Sequence, residues 1–243
     1  MIDSQDIKQY LQQFFSEEIN SLITNQNEII ANQNDLVANH YLAPLSTSYL
    51  PWTKSAMRPS GLVAVLNEIT INQRKCIVEC GAGISTFYIA RLLREKGGHL
   101  HTIEHDQQWC ELLKQELSQE NLSEYVSVIF APLSSSDIKI DRENTDWYNL
   151  STLKAQLSSL KIDLLIVDGP PAYEIEKQLS RYPALPFLST YFAEDYGIIL
   201  DDINRPGEQE ILKAWEQQLG IVFERRLSQG NIAIARSKPS LII

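Results

Sequence analysis

The sequence is short of cysteine, of basic residues and of long apolar runs, and each shortage excludes something. Its three cysteines, Cys76, Cys80 and Cys110, form no C-x-x-C pair and no even framework. Neither a disulfide scaffold nor a thiolate metal site of that spacing is expected, and a reducing, cytoplasmic setting is. Cys76 and Cys80 fall on a buried strand, where they serve as small apolar filler. No stretch approaches the roughly 18 consecutive apolar residues of a bilayer span. The acidic, polar start MIDSQDIKQY lacks signal-peptide character, so no membrane partner is expected. Lys and Arg number 21 against 31 Asp and Glu, a net charge of −10. With no basic stripe, nucleic acid is not expected as a partner either; a locally basic pocket stays open. What remains is the profile of a soluble globular protein, 44% apolar and 21% charged over 243 residues.

Residues 1–45 contain no glycine and no proline before Pro44. Apolar residues recur there at helical spacing: Ile7, Leu11, Phe14, Leu22, Ile29, Ile30, Leu36 and Val37. We read an N-terminal helical segment (1–45) of one or two long helices, followed by a second domain (46–243). The helices could cap a pocket, pair with a twin as a homo-oligomer, or pack on their own domain.

From residue 60 strands alternate with helices. CIVEC (76–80), HLHTIEH (99–105), YVSVIFAPL (125–133), IDLLIVDGP (162–170) and YGIILDDIN (196–204) read as strands. Helices fall at 85–97, 107–117 and 206–220, and IVFERRL and NIAIARS close the chain as a hairpin around SQG. The pattern predicts an α/β fold: a Rossmann-like doubly wound sheet, mostly parallel, with a C-terminal antiparallel hairpin and the N-terminal helical extension. Ligands then bind beyond the carboxyl ends of the strands, where strand order reverses.

The stretch VECGAGIST (78–86) ends the first strand. Gly81 and Gly83 allow a sharp turn and close ligand approach. Thr86 stands where a dinucleotide loop has its third glycine, and Glu79 lies on the strand just before the turn. An acid there suits a ligand without phosphates that carries a positive group. Glu104 ends the second strand, where a carboxylate can accept from both hydroxyls of a ribose.

Together, E-x-G-x-G-x-S-T, an acid ending the next strand, VDGPP ending the fourth strand and a terminal hairpin resemble the class I S-adenosylmethionine (SAM)-dependent methyltransferases, over about residues 60–236. That resemblance implies SAM as cofactor, with Glu79, Gly81 and Gly83 shaping its site and Ser85 and Thr86 opening the helix beneath. It implies Glu104 at the ribose, His105 and Asp106 beside the adenine, and Ala131-Pro132-Leu133 framing the ring.

Methyl transfer is an in-line displacement in which the nucleophile must be aligned and lose its proton. The candidates are Asp168, at the end of a strictly apolar run, and Asp201-Asp202, of which one should face the cleft and the other the loop. Acids there need an opposite charge, from Arg205, a metal ion or both. The layout resembles cation-dependent O-methyltransferases, in which such acids (here Asp168, Asp201 and Asp202) hold Mg2+. Sugar-modifying members commonly carry a further acid, as base, where this chain has Pro170. The run VDGPP…RYPALPFL…ILDDINR…E…W also resembles a bacterial group assumed to act on small molecules or surface glycans, which implies Arg181, Arg205 and Glu208 near the substrate. Trp52, Lys54 and Ser55 could lie over the methionine tail. Trp147 and Tyr148 could be exposed and stack on a sugar or aromatic ring, or pack in the core.

The leading expectation is a SAM-dependent methyltransferase, O-methylating a small hydroxylated molecule or sugar. The alternatives are an aminopropyltransferase of the spermidine-synthase type, or a non-catalytic oligomeric scaffold with a vestigial cofactor site.

Overall fold

A computed structural model describes residues 4–50, 52–140 and 145–240, apart from the side chains of 4–12, 17 and 20. Ile7 and Leu11 thus lie outside the described side chains. Nine strands and seven α-helices are described. Seven strands form one sheet in the order β3-β2-β1-β6-β7-β9-β8. Strands β1 (Cys76–Cys80), β2 (His99–Glu104), β3 (Val126–Phe130), β6 (Ile162–Val167) and β7 (Phe192–Leu200) run parallel. The last two, β8 (Glu224–Arg226) and β9 (Ile232–Arg236), add the antiparallel edge.

The near-continuous apolar runs of β1, β6 and the second half of β7 reflect burial on both sheet faces. Successive side chains point to opposite faces. Val78, Cys80, Leu165, Val167, Ile198 and Leu200 therefore fill one core. Ile77, Leu164, Ile166 and Ile199 fill the other, against α2 (Pro59–Ile71) and α3 (Ile84–Lys96). Order reverses between β1 and β6, which opens a crevice at their carboxyl ends.

Two stretches differ from expectation. The strand expected over 125–133 stops at Phe130. Ala131 N–H still reaches Glu104 O at 2.8 Å, but Pro132 has no N–H to continue the ladder. The chain leaves the sheet and forms a separate hairpin of β4 (Leu133–Ser136) with β5 (Thr145–Tyr148), followed by α5 (Leu150–Leu157). Trp147 and Tyr148 are accordingly buried, at 0% and 1% exposure, not exposed stacking platforms.

Helix α1 runs from Ser4 to Leu42, 39 residues or about 58 Å. Its second half docks: Ala31, Ala38 and Leu42 are buried, Arg58 Nε meets Asp35 at 2.8 Å, and Asn34 donates to Ser228 O. Every described side chain from 13 to 30 is exposed, including Phe14, Phe15, Leu22 and Ile23. Among the described residues no helix is long and apolar enough to cross a membrane.

Candidate functional site

The turn after β1 is held from within. Glu79 is fully buried, and its carboxylate accepts from Ser85 Oγ (2.6 Å), Thr86 Oγ1 (2.6 Å) and Thr102 Oγ1 (2.8 Å). Burial pushes its pKa up even though the three hydroxyls pull it down. Gly81 has φ +93°, and a Cβ there would lie 3.0 Å from the backbone of Asp168 and Gly169. Only glycine satisfies both limits. Gly83, by contrast, has open space where a Cβ would be, so its backbone is a wall that a ligand can approach.

Across the turn, Glu104 Oε1 accepts from the backbone N–H of His105 (2.7 Å) and Asp106 (2.9 Å) and lies 2.7 Å from His105 Nδ1. Among the described residues Oε2 has only Ala82 N–H, at 3.3 Å. Burial opposes ionisation, but hydrogen bonds from the His105 side chain and the two backbone groups outweigh it and hold the carboxyl below its usual range. Glu104 therefore presents an ionised, underused oxygen to the crevice. Asp106 turns away and caps α4 (Gln107–Gln119) through Trp109 N–H, at 2.9 Å.

The other wall carries the acids. Asp168 follows β6; Asp201 and Asp202 follow β7, and Asp202 takes a left-handed φ of +60°. One oxygen of each lies within 4.8 Å of the others. Both Asp201 and Asp202 line the cleft, so neither is directed away. Burial, then the neighbouring Asp202, raises Asp201 to about 7. Burial and Asp201 push Asp168 well above the usual carboxylate range. The opposite charge comes from two arginines. Arg205 Nη1 is 2.9 Å from Asp202 Oδ2. Arg181, nearly buried, places Nη2 3.0 Å from Asp202 Oδ2 and 3.3 Å from Asp168 Oδ1.

These groups meet in one cleft. Its wall includes Ser55, Gly81, Gly83, Ser85, Glu104, His105, Asp168, Asp201, Asp202 and Arg205, together with Lys54 and Arg181. Glu79, Thr86, Asp106 and Pro132 are not among its lining residues. Trp52 packs edge-on to Tyr88 instead. Glu208 lies behind Arg181, fully buried, with neither oxygen hydrogen-bonded among the described residues. The cleft holds about 170 Å3, and an adjoining hollow of about 300 Å3 shares Ser55, Ala56, Ala82, Gly83 and Ile84 with it. Met57, Gly169 and Ala172 line the cleft without having been anticipated. They are apolar wall, with no chemical signature to betray them. Tyr148 Oη is buried beside Gly169 and has no hydrogen-bond partner among the described residues.

Residues 78–203 match a family model described as a methyltransferase domain. No curated protein matches the chain. Among solved structures, a Staphylococcus aureus protein provisionally described as a caffeoyl-CoA O-methyltransferase is similar with a TM-score of 0.57 at 14% identity, over 92% of this chain and 99% of that one. The SAH-bound methyltransferase PaMTH1 of Podospora anserina gives 0.54 at 12% identity, over 92% and 97%. The O-methyltransferase TomG of Streptomyces achromogenes, in complex with SAM, gives 0.50 at 13% identity, over 80% and 93%. At these identities the likeness is one of fold. The family match, which spans the glycine turn, Glu104 and all three acids, goes further: the chain belongs to the methyltransferase-domain family, and its resemblance to the class I SAM-dependent methyltransferases stands.

Proposed function

We propose that this protein is a SAM-dependent O-methyltransferase acting on a small hydroxylated acceptor, a sugar being within that class. The observation that carries this reading is the meeting of the glycine turn with the carboxylate cluster at the sheet's switch point, where Gly81 packs so close to Asp168 and Gly169 that a Cβ on it would lie 3.0 Å from their backbone. When bound, SAM supplies a methyl group on a sulfonium. The residues fit it. Gly83 leaves open space, Glu104 Oε2 has room to accept from ribose hydroxyls, and the Tyr148 hydroxyl, beside Gly169 and without a partner among the described residues, offers a donor. Glu79 and Thr86 act at one remove, by fixing the turn; His105 flanks the adenine, with the backbone of Asp106 beside it, whose carboxylate is taken up in capping α4, and Pro132 beyond, and Ser55 closes the methionine end. Asp168, beside the transferable methyl, takes the acceptor's proton. Its partner Asp201 shares the charge, while Arg205 and the mainly buried Arg181 balance it.

A magnesium ion does not fit these residues as they stand. Arg181 Nη2 already bridges Asp168 and Asp202, and no step here is routed through a metal.

Binding of S-adenosylhomocysteine (SAH), measured by calorimetry, followed by methyl transfer to a panel of hydroxylated small molecules, tests the reading; absence of SAH binding overturns it. Glu104→Ala should weaken SAH binding by about 1.5–3 kcal/mol, the range for hydrogen bonds to a charged group. Unchanged affinity in a folded variant removes the ribose role.

The acid pair gives a pH signature. As Asp201 loses its proton around pH 7, the cleft becomes more negative. SAM is a sulfonium cation there and SAH a neutral thioether, so the ratio of SAM to SAH affinity should rise between about pH 6 and about pH 8. Loss of the His105 proton removes a positive charge and acts in the same direction, so the ratio is measured in His105→Gln as well, where the rise should persist. A flat ratio by calorimetry counts against the sulfonium lying beside these acids.

The projecting half of α1, with Phe14, Phe15, Ile19, Leu22 and Ile23 exposed, pairs with a second copy of the chain. An apolar face of that extent is unusual on a monomer. Light scattering should give the full-length protein a mass above 27.7 kDa; a monomer overturns the pairing. The three free thiols agree with a cytoplasmic setting.

A further inference from the structure

We propose that the guanidinium of Arg181 stands where a divalent cation would, bridging Asp168 and Asp202, so that the acids are held and balanced, and the acceptor deprotonated, without a metal. The proposal rests on the methyltransferase reading above. Its ground is the way Arg181 is built in. Nη2 donates to Asp168 O at 2.9 Å and bridges the two carboxylates at 3.3 and 3.0 Å. Nη1 reaches Asp201 O at 3.3 Å, and Nε reaches Pro170 O at 3.3 Å. The side chain is 4% exposed. All three nitrogens are thus engaged by the chain itself, which marks a fixed charge, not a hand extended to substrate. Behind it, Glu208 lies 3.6 Å from Nη1 and, at 0% exposure, accepts no hydrogen bond from any described residue. Burial raises the proton affinity of its carboxyl and Arg181 opposes that rise, so Glu208 is a further acidic group served by the same guanidinium.

A hard cation needs six or more oxygen ligands. To collect Asp168, Asp201 and Asp202 it would have to displace Nη2 from both carboxylates. The cost is a buried guanidinium stripped of its partners, which is severe. An arginine also keeps its charge at every working pH, so the acids are balanced without a metal supply.

The test titrates Mn2+ into the full-length protein, with and without SAH, and follows free Mn2+ by electron paramagnetic resonance; calorimetry reports SAH binding separately. SAH should bind while the free-ion signal stays undiminished to roughly millimolar Mn2+. Arg181→Met should then take up Mn2+ where the wild type does not, and Mg2+ should raise the melting temperature of that variant alone. Uptake of one equivalent by the wild type overturns the proposal, as does a folded Arg181→Met protein that binds none. If that variant does not fold, the wild-type titration decides alone. Failure of SAH to bind strikes the cofactor reading instead, and the Mn2+ result on the free protein still decides this one.

Discussion

Asp168→Asn should slow methyl transfer by about 10²–10⁴-fold, the usual worth of a positioned general base, while SAH affinity changes little. Asparagine has the same shape, and its amide oxygen can still accept from Arg181, so the loss isolates proton abstraction from architecture. Asp168 is the member of the acid pair suited to that work. Its side chain is 12% exposed at the cleft wall, whereas Asp201 is 4% exposed beneath it. Burial and the neighbouring Asp201 raise its affinity for a proton, which brings a carboxylate toward the range where it can take one from a hydroxyl. Single-turnover transfer of labelled methyl from SAM to an acceptor found in the panel is the measurement. Wild-type turnover in a folded, SAH-binding Asp168→Asn protein would sink the placement of chemistry at these strand ends.

Arg181→Met should cost about 3–5 kcal/mol of folding stability, the penalty for removing one partner of a buried ion pair. Methionine roughly fills the volume, but the carbonyls of Asp168, Pro170 and Asp201 lose their donor, and Asp168, Asp202 and Glu208 lose their shared cation. Denaturant unfolding reads this as a lower midpoint at unchanged slope. A loss below about 1 kcal/mol, the scale of an exposed pair, would mean that the network does not hold the acids together. Lysine should rescue little, because it cannot reach three carbonyls and two carboxylates at once.

Much of the molecule is legible along the chain, for a local reason. Apolar runs of five or six residues ending in Gly or Asp specify parallel strands and their carboxyl ends, because a strand buried on both faces admits little else. CIVEC-GAG, TIE and LLIV-D therefore announce Gly81, Glu104 and Asp168 without any knowledge of contacts. The structure supplies the reason for the glycine at 81: its φ of +93° is one that other residues rarely adopt. The same local logic gives the terminal hairpin and α7 (Pro206–Leu219), with Pro206 at its start and Gly220 in a left-handed conformation at its end.

Only the tertiary structure decided what each polar group does once the chain is closed. Glu79 looks like a ligand contact along the chain, yet in space Thr102, on the next strand, joins Ser85 and Thr86 to consume both its oxygens. The strand through 125–133 looks continuous in apolarity, yet the loss of one N–H at Pro132 diverts it into β4 and buries Trp147 and Tyr148. Arg181 stands in an irregular stretch with no periodicity to place it. Its meeting with Asp168, 13 residues earlier, and Asp202, 21 residues later, depends on where β6 and β7 end side by side. Strand and turn propensities act within a few residues and can be read from the sequence. Charge pairing acts through space, and it is fixed only when the sheet sets its order.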